Sequence, residues 1–216
     1  MGILNDCHLK CSYNFVHSSQ PRFLSRNNNT PQTLLIRNLA LRYTFTMVET
    51  HPFGDFVPKK TKYLMLGSFV TKPSNPYDWF YANGRNQFWP IMAGVYGLEF
   101  DTKEKQQQLF IQLEMALTDI ILSCERRSNS NLDINLFNII YNTAIKDIIP
   151  NHAVQKIFFT SRYVETLFRR HFKDVIQLRP DVELVCLPSP SPRYAMMSKQ
   201  EKIGRYKELL PTLESN

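Results

Sequence analysis

Short apolar runs alternate with longer segments of helical periodicity in most of the chain. Three runs, at 63–66, 156–160 and 183–187, hold four or five mostly apolar residues and end at Gly, Ser or Pro. Runs of that length, bounded by turn-forming residues, predict buried strands. Because helical segments separate these strands, we expect an α/β fold with a parallel sheet that is covered on both faces.

Helical spacing of apolar residues predicts four helices. Their expected extents are 86–97, 101–123, 162–172 and 198–210. The first begins at Asn86, a residue type that caps helices, and has Pro90 in its first turn, where a missing N–H costs nothing. Capping boxes open the second helix at Asp101 and the fourth at Ser198. Residues 125–133 are polar and predict a loop.

The size and charge of the chain limit the possible classes of protein and of binding partner. Its 216 residues are enough to bury a real core within one domain, and no apolar run has membrane-spanning length. The net charge is +7. Residues 1–46 contain five basic residues and one acidic residue, so +4 lies there and +3 remains for residues 47–216. This mild excess favours a polyanionic partner.

The first 46 residues are rich in Asn, Ser and Arg and lack the apolar segment of a secretory signal. Two interpretations stay open: a basic, poorly ordered leader, or a folded protein that begins at Met47. In both, residues 47–216 form a single domain and residues 1–46 add little to its core. The expected location is the cytoplasm, in association with the nucleoid, or an organelle or nucleus if 1–46 are a genuine leader.

The four cysteines provide no disulfide framework. Cys124 and Cys186 lie in apolar surroundings, which predicts reduced thiols in the core. Cys7 and Cys11 flank His8, but their spacing matches no common zinc pattern and no second pair follows. We therefore predict neither a metal nor a cofactor.

Two loops follow predicted strands, at the edge where an open parallel sheet binds its ligands. The first begins at Gly67 and leads through a Pro-, Ser- and Asn-rich segment to residues 80–90, Phe-Tyr-Ala-Asn-Gly-Arg-Asn-Gln-Phe-Trp-Pro. Its amides, aromatic rings and single arginine are accompanied by one acidic residue, Asp78. That composition suits a neutral flat ring and a phosphate better than a metal ion.

In the second loop, residues 187–194, three prolines alternate with serines. Proline fixes φ and removes a donor, so the loop is stiff before any partner arrives. Its hydroxyl and backbone N–H groups can hold phosphates, and the basic helix that follows can add contacts. A proline-rich peptide ligand, a linker or a solvated basic face are the alternatives. The candidate phosphate contacts are Ser189, Ser191, Arg193, Tyr194 and Lys199.

Four segments in order, at 66–69, 81–89, 119–126 and 187–192, resemble the uracil-DNA glycosylase superfamily, most closely its hypoxanthine-DNA glycosylase-like branch. The resemblance spans roughly Met47 to the end of the chain. It implies a three-layer α/β/α sandwich with a short, mainly parallel central sheet. It also implies cleavage of the N-glycosidic bond of a damaged base without a metal or cofactor.

The resemblance maps the catalytic asparagine of the branch onto Asn86. An amide can donate and accept at once, so it can orient a water or hold the flipped base; a plain helix cap is the alternative reading. Ser68 is the second catalytic candidate, because it lies where the backbone can approach the substrate closely. The candidates for contacts with the base are Gly67, Phe69, Tyr81 and Asn83, and Arg85 is a candidate for a contact with DNA.

The chain departs from the family pattern at four places. Val70 replaces a proline, Asn83-Gly84 replaces His-Pro, and Leu187 replaces the histidine that stabilises the departing anion in the classical uracil enzymes. The first loop also lacks the aspartate that serves those enzymes as general base. The departures leave open slower chemistry, a different base, or DNA binding without cleavage.

We therefore expect a monomeric, monofunctional DNA glycosylase of base excision repair. It flips a deaminated base, uracil or hypoxanthine, out of damaged duplex or single-stranded DNA and hydrolyses the glycosidic bond with an oriented water. Neither motif contains a lysine, which favours water over a Schiff base. The alternatives are a glycosylase-fold protein that binds nucleic acid without turnover, and a hydrolase of free nucleosides or nucleotides. No membrane partner is expected.

Overall fold

The structure is a computed structural model that describes residues 47–70, 79–127 and 132–213. The predicted leader at 1–46 and the segment 71–78 of the first loop lie outside these residues. The strands are β1 (Val48–Thr50), β2 (Tyr63–Gly67), β3 (Met115–Asp119), β4 (Ile121–Arg126), β5 (Leu136–Tyr141), β6 (Lys156–Phe159) and β7 (Glu183–Cys186). The helices are α1 (Phe88–Tyr96), α2 (Lys103–Gln112), α3 (Ile145–Asn151), α4 (Arg162–His171), α5 (Lys173–Leu178) and α6 (Lys199–Leu209), with a 3₁₀ turn at Asp133–Asn135.

The core of the fold is a four-stranded parallel sheet in the order β3-β2-β6-β7. Side chains alternate between its two faces, so Leu64 and Leu66 of β2 enter one apolar cluster and Met65 enters the other. Helices α3 and α4 pack on the first face, and α1, α2 and α6 pack on the second. The expected α/β fold with a parallel sheet between two helical layers is therefore confirmed.

Helix ends follow the predicted capping chemistry with two corrections. Gly97 ends α1 with φ of 67° and donates to Ala93 O, and Ser198 opens α6 with a complete capping box. The second helix is capped by Thr102, which accepts from Lys105 N, and not by Asp101. The first helix begins at Phe88, two residues after the predicted Asn86.

Among the described residues, no helix combines the length and apolar character needed to cross a bilayer.

The prediction of one helix from 101 to 123 is wrong. Helix α2 ends at Gln112, Glu114 turns the chain with φ of 50°, and residues 115–119 form β3 beside β2. All five residues of β3 are buried. A short run that is buried on both faces has no polar alternation, so its periodicity does not distinguish a strand from a helix.

A second, antiparallel sheet of order β1-β4-β5 was not predicted. Only Ile120 separates the end of β3 from the start of β4. Glu125 and Arg126 belong to β4, so the predicted polar loop at 125–133 is too long. The Arg126 side chain is 5 % exposed and its guanidinium donates to both carboxylate oxygens of Glu49 at 3.0 Å. This bidentate pair fastens β1 to β4.

Candidate active site

The two predicted loops touch each other at the carboxyl ends of the parallel strands. Gln87 N donates to Pro190 O at 3.0 Å. This bond joins the residue after Asn86 to the second loop, residues 187–194, which is called the proline-serine turn below. The second connection is Lys202 of α6, whose Nζ donates to Gln87 Oε1 at 2.9 Å and to Ser191 O at 3.2 Å. The strand topology alone predicts this convergence, and the structure has it.

Lys202 has a different role from the one expected of a basic residue in this helix. Its side chain is 1 % exposed, so it is not a solvated phosphate contact. Burial lowers its pKa, and its Nζ also lies 5.4 Å from the centre of the Tyr194 ring. Lys202 is thus an internal connection between the loops, whereas Lys199 and Arg193 are exposed.

Asn86 lies in the short turn that precedes α1. Its backbone N–H donates to Asn83 O at 2.7 Å, and its Oδ1 accepts from Phe88 N at 2.9 Å. The side chain therefore satisfies one of the orphan donors of the helix although Gln87 occupies the cap position. Among the described residues, no acceptor lies within hydrogen-bonding distance of Asn86 Nδ2, so its two donors are available to a ligand. Both readings of this residue, helix start and substrate contact, are compatible with the geometry.

Gly67 ends β2 where no side chain fits. A Cβ there would collide with the Asp119 carboxylate and with the Tyr81 hydroxyl. The backbone oxygens of Gly67 and Ser68 accept from Ile120 N at 2.9 Å and Ile121 N at 3.1 Å. These contacts fix the start of the first loop against the end of β3.

The two aromatic candidates for base stacking are largely packed. Phe69 is 7 % exposed and belongs to the core cluster under α4. Tyr81 has φ of 58° and stacks on Phe88 with ring centres 4.1 Å apart, so one face of its ring is covered. Its hydroxyl donates to Thr160 Oγ1 at 3.3 Å, and burial together with the Asp119 charge raises its pKa well above the usual value.

Asn83 and Arg85 shape the rim of the site. Asn83 Oδ1 accepts from Arg85 N at 3.0 Å, which closes the turn before Asn86. Arg85 is exposed. A role of either residue with DNA depends on the approach of the substrate to this rim.

Local hydrogen bonds stiffen the proline-serine turn. Ser189 Oγ accepts from Ser191 N at 3.3 Å and Ser191 Oγ accepts from Arg193 N at 3.3 Å. Tyr206 of α6 donates its hydroxyl to Pro188 O at 2.9 Å. A cavity of about 360 Å³ lies beside this turn, between α4 and α6. Its polar lining includes Ser161, Arg162, Ser189, Tyr194 and Arg205.

A buried, hydrogen-bonded pair of titratable groups lies under the first loop and was missed by the sequence analysis. His51 Nε2 lies 3.0 Å from Asp119 Oδ2, and the two side chains are 5 % and 6 % exposed. Burial alone would lower the pKa of His51, but the hydrogen bond and charge of Asp119 outweigh it, so the pKa is raised. Asp119 belongs to a family-like segment, whereas nothing in the sequence marks His51.

A second carboxylate, Asp133, also reaches the first loop. Ser68 Oγ donates to Asp133 Oδ1 at 3.1 Å, across 65 positions of the chain. Burial, with a contribution from the Asp119 charge, raises the pKa of Asp133 to about 6, although the Ser68 hydrogen bond lowers it. The site thus combines an amide with free donors, a polar turn and a carboxylate of raised pKa. Within the described residues, no group of three or more His, Cys, Asp or Glu side chains could hold a metal.

No protein-family model and no curated protein matches this sequence. Among solved structures, the chain is similar to the solution NMR structure of a protein from Methanosarcina acetivorans that bears the name "putative Uracil DNA glycosylase". The sequences are 20 % identical, the TM-score is 0.53, and the match covers 76 % of this chain and 99 % of the other. At that identity the likeness concerns the fold: this chain has the α/β fold of that protein.

Proposed function

We propose that this protein is a monofunctional DNA glycosylase that removes a deaminated base, uracil or hypoxanthine, from DNA. The observation that supports it most is the bond from Gln87 N to Pro190 O, which brings the amide of Asn86 and the proline-serine turn to one rim. An uncharged base needs amide and backbone contacts, while a DNA backbone needs exposed cations and N–H groups beside them. This rim offers the amide of Asn86 and the exposed cations Arg85 and Arg193.

In the proposed reaction, DNA lies across the strand ends and the damaged nucleotide rotates out of the helix. Asn86 Nδ2 donates to the base or to the attacking water, since its Oδ1 is already occupied by Phe88 N. Arg193 and Tyr194 lie at the tip of the second loop, where a side chain can fill the gap left in the duplex. Donors near the base stabilise the negative charge that it acquires on leaving.

The experiment that tests this function separates the two roles of Asn86. Duplex and single-stranded oligonucleotides that carry one uracil or one hypoxanthine are incubated with the protein, and abasic product is measured in single turnovers. Asn86→Asp keeps an acceptor for Phe88 N, so α1 stays capped, but it removes the donors. We expect at least a hundredfold slower excision by Asn86→Asp and Asn86→Ala, as for loss of an oriented donor.

The matched control is Asn151→Ala, at the exposed end of α3. It should excise at the wild-type rate. Wild-type protein that releases neither base from either form of DNA would refute the proposed activity, and so would an Asn86→Asp variant as fast as wild type.

A second candidate function is DNA binding without excision. Leu187, where the classical uracil enzymes have a histidine, is 2 % exposed and part of the core, so it gives the departing base no donor. This candidate predicts salt-dependent binding of duplex DNA and no abasic product. The same oligonucleotides distinguish excision from binding alone, because both the affinity and the yield of abasic product are measured with the wild-type protein. In either case we propose damaged DNA as the partner and a monomer as the active form.

A further inference from the structure

We propose that Asp133 supplies the general base that the first loop lacks, and that Ser68 positions it. This inference rests on the proposed glycosylase activity. The sequence around Gly67 has no acidic residue where the classical uracil enzymes have their base. In the fold, however, the 3₁₀ turn between β4 and β5 brings the carboxylate of Asp133 to Ser68, the residue after Gly67.

The geometry favours Asp133 over the two other carboxylates of this region. Asp119 is 6 % exposed at its side chain, and its two oxygens face His51 and the Cα of Gly67, so no substrate can reach them. Asp55 accepts hydrogen bonds from Thr118 and Asn142, which commit it to the support of β3. Asp133 is only partly buried, and its Oδ1 is held by one hydroxyl donor.

The charges around Asp133 suit a base that works near neutral pH. Burial, together with the Asp119 charge, raises its pKa to about 6, although the Ser68 hydrogen bond and the Arg126 charge act in the opposite direction. Tyr163 of α4, Cys124 of β4 and Tyr81 also face its charge. At pH 7 the group is mostly a carboxylate, yet its proton affinity is high enough to accept a proton from water.

The proposed step balances without a cofactor. A water oxygen forms a bond to C1′ of the deoxyribose while Asp133 accepts one proton of that water. The bond between C1′ and the base nitrogen breaks, its electron pair leaves with the base, and the base then takes a proton from solvent. Asp133 returns its proton to solvent, and the products are a free base and an abasic sugar.

The first test is the pH profile of single-turnover excision. Wild type should lose activity about tenfold per unit as the pH falls below about 6. Asp133→Asn should be about a hundredfold to ten-thousandfold slower and lose that acid limb, as expected for removal of a general base. The limb should move to higher pH in Ser68→Ala, because the hydrogen bond that lowers the pKa of Asp133 is gone. Asp147→Asn, on the exposed side of α3, should behave as wild type.

The second test does not depend on turnover. DNA in which a cationic pyrrolidine replaces the damaged sugar imitates the positive charge of the reacting sugar, and a neutral tetrahydrofuran site is its control. A carboxylate at this position predicts that wild type binds the cationic analogue at least tenfold more tightly, and that Asp133→Asn loses the preference.

The outcomes separate the two proposals. Excision by wild type together with unchanged rate and pH profile in Asp133→Asn overturns the role of Asp133 and leaves the glycosylase activity in place. If wild type excises no base, the proposed glycosylase activity is refuted, and binding of the two analogues then tests the position of Asp133. Equal affinity for the cationic and the neutral analogue overturns the placement of Asp133 at the sugar. A preference that Asp133→Asn abolishes supports it. Circular dichroism and thermal unfolding confirm that each variant is folded.

Discussion

Lys202 Nζ donates to Gln87 Oε1 at 2.9 Å across 115 positions of the chain. The ammonium is buried under the proline-serine turn, where it also holds Ser191 O. Burying an unpaired charge is costly, so this lysine is stable there only because both oxygens face it. The relative position of the two loops therefore depends on a residue that contacts neither the proposed base nor the DNA.

Replacing Lys202 should loosen both loops at once. Lys202→Met keeps the length and the helix propensity but leaves Gln87 Oε1 and Ser191 O without their donor. We expect the free energy of unfolding to fall by about 1–3 kcal/mol, the range for buried polar groups left unsatisfied. Urea unfolding measures it. The exposed Lys207→Met, in the same helix, is the control and should stay within about 0.5 kcal/mol of wild type; equal stability of the two variants would contradict this account.

A methyl group at position 67 should disturb the site. Gly67→Ala places Cβ against the Asp119 carboxylate and the Tyr81 hydroxyl, and hydrogen bonds with His51 and Thr160 hold these two groups in place. We expect a loss of about 1–3 kcal/mol in the free energy of unfolding, as for overpacking of a core. Gly204→Ala has open space inside α6 and should gain about 0.5–1 kcal/mol. Thermal unfolding of both variants checks the opposite signs, and a Gly67→Ala protein as stable as wild type would be inconsistent with the contact.

The buried pair of His51 and Asp119 predicts a fall in stability as the pH rises. Because the pKa of His51 is raised in the folded state, its contribution is complete below the unfolded value of about 6.5 and is lost as the pH rises through the folded value. Unfolding in urea between pH 6 and pH 9 should show this decline in wild type and a smaller one in His51→Gln.

His171 provides a control of opposite sign. Burial, then the Arg170 charge, lowers the pKa of His171, so its contribution is lost as the pH falls. His171→Gln should therefore show a decline at least as steep as wild type. A decline that His51→Gln leaves unchanged would exclude the pair as its source.

The exposed cations of the second loop should govern the salt dependence of DNA binding. Each phosphate contact contributes about 0.9 to the slope of log affinity against log salt. If Arg193 and Lys199 each neutralise one phosphate, the double alanine variant should lose about 2 from that slope. Lys173→Ala tests an exposed cation at the first residue of α5, outside both loops, and should leave the slope unchanged. Fluorescence anisotropy across a salt series measures all three proteins, and equal slopes would remove Arg193 and Lys199 from the interface.

Local patterns in the sequence were enough for the parallel sheet and for several helix ends. The runs that form β2, β6 and β7 are short, apolar and followed by turn residues, and Ser198 with Glu201 specifies the start of α6. The meeting of the two loops also follows, because the carboxyl ends of parallel strands lie at one edge. The assignment of the candidate catalytic residues remains a prediction.

The residues that hold the site together could not be predicted from the sequence, because they meet only through tertiary contacts. His51 and Asp119 are 68 positions apart in the sequence, and Lys202 and Gln87 are 115 positions apart. No rule of sequence spacing relates residues at such separations. The polar loop containing Asp133 gives no indication that one of its carboxylates lies beside Ser68. Strand β3 was missed for another reason, since its uniformly buried residues match a helical segment as well as a strand.

The antiparallel sheet has a practical consequence for any shortened form of the protein. A chain that started at Lys60 would keep all four parallel strands, yet it would lack β1, which pairs with β4 from Val48 to Thr50. The guanidinium of Arg126 would then lose the carboxylate of Glu49, and Asp119 would lose the imidazole to which it is hydrogen-bonded. We therefore expect the smallest stable unit to begin upstream of the parallel sheet and to include β1 of the antiparallel sheet.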